Sequence, residues 1–325
     1  MLTKFLIFTA LCLVPASISH AQAPAASPSP SGPMVGLSLI ITDKNDKGVN
    51  TIHKDQMRVR ENGVEQTILS VEADERPVDY ILAIDATGSF QRLLVSALEA
   101  ATVMVKNRRP EDQVGLMRFT GRENIEKLHD FTTDGDSLIK SLNSIAWEGG
   151  RSAIIDALYL SAQSVAEHNN SNEGRRKVVI IMTDGEDRSS YYNEKDLTKL
   201  LGEEGVQVFT LGFVTLLDKE GGGFTRPSPR LKAEKLLTNI AEESGGRVFF
   251  PENKEELMKS AAEIIMDLRA QFRIKYQSTN DAAKKGFRKV DVKFVPKDGE
   301  KRNLIVPGGY YVGPKDPPAK KQEKK

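Results

Sequence analysis

Two uninterrupted apolar runs, Tyr80-Ile81-Leu82-Ala83-Ile84 and Val178-Val179-Ile180-Ile181-Met182, each pass without a spacer into an acidic segment built around a glycine. The first continues as Asp85-Ala86-Thr87-Gly88-Ser89 and the second as Thr183-Asp184-Gly185-Glu186-Asp187. A strand-length run with no polar alternation has no face for water, so it reads as a parallel strand covered on both sides, and such sheets carry helices on both faces. In open α/β sheets ligands gather outside the carboxyl ends of the strands, which is where both acidic segments fall. One carboxylate and two hydroxyls at i, i+2 and i+4 are hard oxygen ligands of the kind Mg²⁺ or Mn²⁺ prefers, and Gly88 lets the backbone turn tightly between them. Between the two runs, Gly149-Gly150-Arg151-Ser152 leads into an amphipathic segment, Ala153 to His168, which puts Ser152 at a helix start with its hydroxyl free.

Three loops of this kind in this order resemble the von Willebrand factor type A (VWA) domain, over roughly Val78 to Leu268. The chain is similar to exported bacterial members of that family. Its metal-ion-dependent adhesion site (MIDAS) is written DxSxS on the first loop, Thr on the second and Asp on the third. The resemblance implies Asp85, Thr87 and Ser89 from the first loop, Ser152 from the second and Asp184 from the third. Thr87 stands where the family has serine and Ser152 where it has threonine; both keep a hydroxyl. The resemblance further implies that Thr87, Ser89 and Ser152 are direct ligands, while Asp85 and Asp184 balance charge and orient metal-bound waters. An open coordination position would then take an Asp or Glu of a partner protein. Arg151 could steer such an acidic partner or pair with a surface acid. Asp187 is expected to cap or hydrogen-bond rather than to ligate.

Lys and Arg number 46 against 45 Asp and Glu, and 39% of the residues are hydrophobic, which gives no support for a nucleic-acid partner or for global disorder. Lys4, the apolar run Phe5 to Val14 and Ser19-His20-Ala21 before Gln22 read as a signal peptide over residues 1–21, too short in its apolar part to span a bilayer. Export to the periplasm, the envelope or the medium is therefore expected. Cys12, the single cysteine, lies in that leader, so the mature chain is expected to have neither disulfides nor a thiolate zinc site. His53, His129 and His168 are far apart in sequence, which gives little support for an imidazole metal site or a Ser/His/Asp triad.

Residues 22–33, rich in Ala, Pro and Ser, read as a linker. From Met34 the apolar residues Val35, Leu37, Leu39 and Ile41 alternate, a turn follows at Asp43 to Gly48, and Met57 to Arg60 leads through Asn62-Gly63 to a strand over Thr67 to Val71. Strands and helices then alternate to Arg269, with helices expected over Phe90–Lys106, Ser137–Ile145, Glu194–Leu201, Leu231–Glu243 and Lys254–Arg269. Period two returns at Phe272, Ile274 and Tyr276 and continues through Phe287 to Val295, a turn at Lys297-Asp298-Gly299, and Leu304 to Tyr311. Neither flank has enough strands to be stable alone, so the two are expected to pair. The expected architecture is an α/β, doubly wound, mainly parallel VWA sheet (77–270) inserted in a discontinuous β-sandwich (34–76 and 271–313). The last helix would then run almost directly into the sandwich, so that partner binding could change the angle between the two units. A Lys/Pro-rich tail, 314–325, is expected to be disordered, contact with an anionic membrane surface being the minor alternative.

The loop Asp218 to Arg230, with Gly221, Gly222 and Gly223, leaves a strand at the same edge as the acidic segments and is a candidate partner-binding loop. The function these features indicate is a non-enzymatic, divalent-cation-dependent protein-binding module. Two other readings compete with it: a Mg²⁺-dependent hydrolase, since an oxygen-ligated metal can polarise a phosphoryl group, and a metal-free envelope scaffold. No GxxxxGK[ST] loop is present and Ser89 lies outside any GxSxG elbow, which weighs against the hydrolase.

Overall fold

The computed structural model describes residues 32–49, 51–169, 174–217, 227–281, 283–296 and 301–313. The leader, most of the linker, the Gly221-Gly222-Gly223 loop, the turn at Lys297-Asp298-Gly299 and the Lys/Pro-rich tail lie outside these residues.

The chain opens with four strands, β1 (Met34–Thr42), β2 (Met57–Glu61), β3 (Val64–Gln66) and β4 (Ile68–Ala73). The α/β part follows: β5 (Val78–Asp85), α1 (Gln91–Lys106), β6 (Gln113–Gly121), β7 (Asn124–Thr132), α2 (Gly135–Asn143), α3 (Ile154–His168) and β8 (Arg176–Thr183). It continues through α4 (Glu194–Glu204), β9 (Val206–Gly212), α5 (Pro229–Ser244), β10 (Val248–Phe249) and α6 (Lys254–Arg269). Four more strands close the described chain: β11 (Gln271–Gln277), β12 (Gly286–Phe294), β13 (Asn303–Ile305) and β14 (Gly309–Val312).

The central sheet has six strands in the order β10-β9-β8-β5-β6-β7, all parallel except β7, which returns antiparallel to β6 at the edge. Every residue of β5 is buried, as an apolar run with two covered faces requires. The pleat divides that run between two layers. Tyr80, Leu82 and Ile84 pack with residues of α1, α2 and α6, whereas Ile81 and Ala83 pack with residues of α3, α4 and α5. Helix ends carry their signals: the Asn193 side chain accepts from Asp196 N at the start of α4, Ser228 caps α5, Asn253 caps α6, and Gly205 and Gly245 end α4 and α5 in the left-handed conformation.

The two β flanks interleave in two four-stranded sheets, β13-β1-β11-β4 and β14-β12-β2-β3. In the first, β1 pairs antiparallel with β11 from Met34↔Gln277 to Ile40↔Gln271; in the second, β2 pairs with β12 from Glu61↔Val290 to Met57↔Phe294. Their inward residues, among them Leu39, Ile41, Met57, Val59, Ile274 and Tyr276, form a core separate from the two that flank the central sheet. Ile40 points the other way along β1 and packs into the α1–α6 core, so the sheet of β1 and β11 is seated on the α/β part.

One expectation is corrected. Asn62-Gly63 does form a two-residue hairpin, with φ of 50° and 83°, but it joins β2 to β3 at Glu61↔Val64 rather than to a strand over Thr67 to Val71. The later stretch, β4, pairs with β11 in the other sheet. The two-residue turn starts the return at Val64, the ladder with β2 ends at Val59↔Gln66, and the chain crosses at Thr67 to the other layer, where β4 begins at Ile68.

Candidate functional site

The carboxyl end of β5 carries the site. Ala86 N donates to the Phe119 carbonyl of β6 at 2.9 Å, carrying the pairing one residue beyond β5, and Thr87 then begins a short 3₁₀ turn, Gly88–Phe90, that runs into α1. Asp85 is fully buried, and both of its carboxylate oxygens are engaged by hydroxyl and amide donors. Oδ1 accepts from Thr87 N at 3.0 Å and Thr87 Oγ1 at 2.7 Å. Oδ2 accepts from Thr183 Oγ1 at 2.7 Å and from Ser152 Oγ at 3.2 Å. Thr87 Oγ1 lies 3.2 Å from Ser89 Oγ, and Ser89 is the exposed member of the group. Thus Asp85, Thr87, Ser89, Ser152 and Thr183, spread over three segments of sequence, meet through hydrogen bonds at one point.

Asp184 follows Thr183 at the end of β8, buried, with its Oδ1 accepting from Glu186 N at 3.0 Å. Burial pushes the Asp85 carboxyl up, the neighbouring Asp184 charge pushes it further, and the Thr183 and Thr87 donors only partly offset them, leaving it at about 6. None of the donors to Asp85 carries a positive charge. Two buried carboxylates beside neutral hydroxyls make an environment that a hard divalent cation would relieve, so the donor set fits Mg²⁺ or Mn²⁺. Among the described residues no group of three or more His, Cys, Asp or Glu gathers to hold a metal; the oxygens at this edge are mainly hydroxyls.

The second and third loops are locked together beneath these side chains. Glu148 N donates to the Ala86 carbonyl at 2.8 Å, and the Ser152 carbonyl accepts from Arg188 N at 2.9 Å and Ser189 N at 3.1 Å. Gly150 has φ 145°, and a Cβ there would lie 1.8 Å from the Thr120 carbonyl oxygen, so the approach to Ser152 admits glycine alone. Asp187 Oδ1 accepts from Ile154 N at 2.8 Å and Ser190 Oγ at 2.5 Å, so it caps α3. Arg151 is exposed next to Ser152, and its Nη2 reaches the Arg188 carbonyl at 3.3 Å.

Two residues that sequence reasoning passed over belong to this assembly. Thr183 supplies one of the two 2.7 Å contacts to Asp85, and its place directly before Asp184 at a strand end was the available signal. Asp156, buried on the first turn of α3, accepts from Tyr191 N and Tyr192 N and so ties the third loop to the helix that Ser152 precedes. An acid inside an amphipathic helix carries no mark of that role.

A family model described as the von Willebrand factor type A domain matches residues 79–263, more than half of the chain. The chain belongs to the VWA family. VWA domains are in general protein-interaction modules rather than enzymes. Among solved structures, this VWA protein is similar to an aerotolerance-related membrane protein from Bacteroides fragilis, at 22% identity over 58% of this chain and 98% of that one, TM-score 0.44. It is similar to BatB from Bacteroides thetaiotaomicron at 23% identity, over 59% and 97% of the two chains, TM-score 0.46. A von Willebrand factor type A protein from Catenulispora acidiphila matches at 12% identity over 80% of this chain and 74% of its own, TM-score 0.47. Comparison with curated proteins returns no match.

Proposed function

We propose that this VWA protein is an exported, divalent-cation-dependent protein-binding module in which Asp85, Thr87, Ser89, Ser152 and Asp184 hold Mg²⁺ or Mn²⁺. The observation that carries the reading is the convergence of the Thr87, Ser152 and Thr183 hydroxyls on one buried carboxylate, with the Ser89 hydroxyl at the exposed side. When bound, the cation would supply a Lewis-acidic position for an Asp or Glu side chain of the partner. The chain's own residues do the rest. Asp85 and Asp184 bring negative charge to the edge, the hydroxyls add ligand oxygens without neutralising the cation further, and the Gly150 approach holds Ser152 in place. The exposed Arg151 guanidinium adds attraction for an acidic partner surface. Export rests on the leader-like pattern of residues 1–21.

Calorimetric titration of Mg²⁺ and Mn²⁺ into the mature chain tests the reading, alongside Asp85→Asn and Ser89→Ala variants that retain parental circular dichroism. The expected result is one bound cation in the parent and at least about tenfold weaker binding in both variants, as loss of a direct or charge-bearing ligand implies. Parent protein that binds neither cation would overturn the metal mechanism while leaving the VWA fold in place.

A further inference from the structure

The second loop of the candidate site, residues 144–153, carries the chain's only tryptophan. Trp147 is 48% exposed, although an indole has a large apolar area to hide from water. One exposed apolar side chain calls for no explanation on a loose surface. This loop is fastened on both sides of the indole. Ile145, two residues earlier, is buried in the α1–α6 core and its N–H donates to the Leu142 carbonyl at 3.1 Å. Glu148, the next residue, donates its N–H to the Ala86 carbonyl at 2.8 Å, and Ala86 lies between Asp85 and Thr87 in the chain. The Glu148 carboxylate pairs with Arg118 of β6 at 2.9 Å, and Arg118 pairs in turn with Glu126 of β7 at 2.9 Å. The fastening therefore holds Trp147 beside the Asp85 edge while leaving half of its surface in water.

The ground around it is open. A Cβ on Gly149 would meet nothing within 4 Å, and the same holds for Gly88 on the first loop, next to the exposed Ser89. Both glycines are exposed, so bare backbone adjoins the indole on one loop and the Ser89 hydroxyl on the other. Arg151, also exposed, has no ion pair among the described residues; its Nη2 meets only the Arg188 carbonyl. Residues 147–152 thus offer an aromatic face, accessible backbone and an uncompensated cation within one short stretch.

Such a surface matches a segment that is acidic and apolar at once. A carboxylate held by a cation at an open edge competes with water, and an apolar side chain packed beside it excludes that water and strengthens the contact. Tryptophan is also among the residue types enriched where one side chain carries much of the binding energy. Resting on the cation-dependent reading above, we propose that Trp147 is the apolar anchor of the partner-binding surface. The partner is a protein segment that gives its Asp or Glu to the cation and, within about three residues of that acid, packs an aromatic or large aliphatic side chain on the indole.

The test uses random peptides displayed on phage, selected on the immobilised full chain in Mg²⁺ and eluted with EDTA. The eluted peptides are expected to carry Asp or Glu within about three residues of a Trp, Tyr, Phe or Leu. A synthetic peptide of the enriched sequence, with any tryptophan replaced by phenylalanine, should shift the emission of Trp147 to shorter wavelength as the indole leaves water. It should bind Trp147→Ala at least about tenfold more weakly than the parent, with Trp147→Phe in between. Trp147→Ala should keep the parental circular dichroism and Mg²⁺ affinity, because Trp147 is not among the groups bonded to Asp85. Met266→Ala, which removes an exposed apolar side chain near the far end of α6, should bind the peptide as the parent does. Eluted peptides that carry an acid without a neighbouring large apolar residue, or binding undiminished in Trp147→Ala, overturn the proposal and leave the cation reading standing. Recovery of no peptide by EDTA also overturns it, and Mg²⁺ calorimetry on the same chain then shows whether the cation reading has failed with it.

Discussion

Replacing Glu61 by glutamine should unseat the β flanks from one another. Glu61, at the end of β2, is fully buried and, among the described residues, accepts five side-chain hydrogen bonds, all from the C-terminal flank. Oε1 takes Ser278 Oγ at 2.8 Å, Asn280 Nδ2 at 2.7 Å and Arg288 Nη1 at 3.1 Å. Oε2 takes Tyr276 Oη and Tyr310 Oη, each at 2.9 Å. Arg288 is itself 3% exposed, so Glu61→Gln leaves a buried cation without its counter-charge and sets a new amide donor against existing donors. Breaking a buried pair from one side costs about 3–5 kcal/mol. For a chain of this size that corresponds to a fall in Tm of roughly 6–20 °C. Tyr276→Phe, which removes one donor and no charge, should cost about 1 kcal/mol. The double variant Glu61→Gln, Arg288→Met should recover part of the loss, because the unpaired cation goes with the carboxylate. Urea unfolding followed by circular dichroism measures all three. A Glu61→Gln loss below about 1 kcal/mol, or a double variant less stable than the single one, would refute the reasoning. The pH dependence has a defined sign. Burial pushes the Glu61 carboxyl up, but the Asn280, Ser278, Tyr276 and Tyr310 donors outweigh it and hold the pKa below the ordinary 4.5. Its contribution is therefore present above that value and is lost as pH falls through the folded-state pKa.

Three further outcomes are expected. Gly150→Ala should lower stability by about 1–3 kcal/mol through backbone strain and abolish calorimetric Mg²⁺ binding, since the Thr120 carbonyl occupies the space of the new Cβ; unchanged binding would show that the approach to Ser152 is not constrained. Asp187→Ala removes the acceptor of Ile154 N at the start of α3 and should cost about 0.5–2 kcal/mol in urea unfolding, with Asp187→Asn retaining most of it. Asp74 is pushed up by burial, but hydrogen bonds from Arg76 and Ser38 and the Arg76 charge bring it down to about 2. Its contribution of about 2 kcal/mol should thus be intact above pH 4 and vanish as pH falls toward 2, so stability curves of the parent and Asp74→Asn should converge only in that acid window.

Sequence and structure agree most closely where burial leaves one option. The run from Tyr80 to Ile84 is apolar at every position, and only a strand with helices on both faces can cover both sets of side chains. Asp85 and Asp184 were legible for the same reason, because an acid directly after such a strand falls at the sheet's carboxyl edge. Glu61 shows the opposite case. In Met57-Arg58-Val59-Arg60-Glu61-Asn62-Gly63 it reads as one more polar residue beside a turn, and period-two alternation does not tell a solvent-facing carboxylate from one enclosed by donors that arrive more than 200 residues later. The partner of β3's neighbour β4 was equally hidden, since Asn62-Gly63 specifies a turn but not how soon the returning strand changes sheets.

By itself, then, the sequence determined the parallel α/β sheet, its helices and the edge at which acids and hydroxyls collect, because these follow from local periodicity and from the need to bury apolar area. Tertiary structure decided which oxygens meet. Thr183 and Ser152 reach Asp85 from 98 and 67 residues away, and Glu61 draws together donors from the other end of the chain. Hydrogen bonds act over about 3 Å and carry no periodic signature, so such meetings exist only once the sheets and helices have been packed.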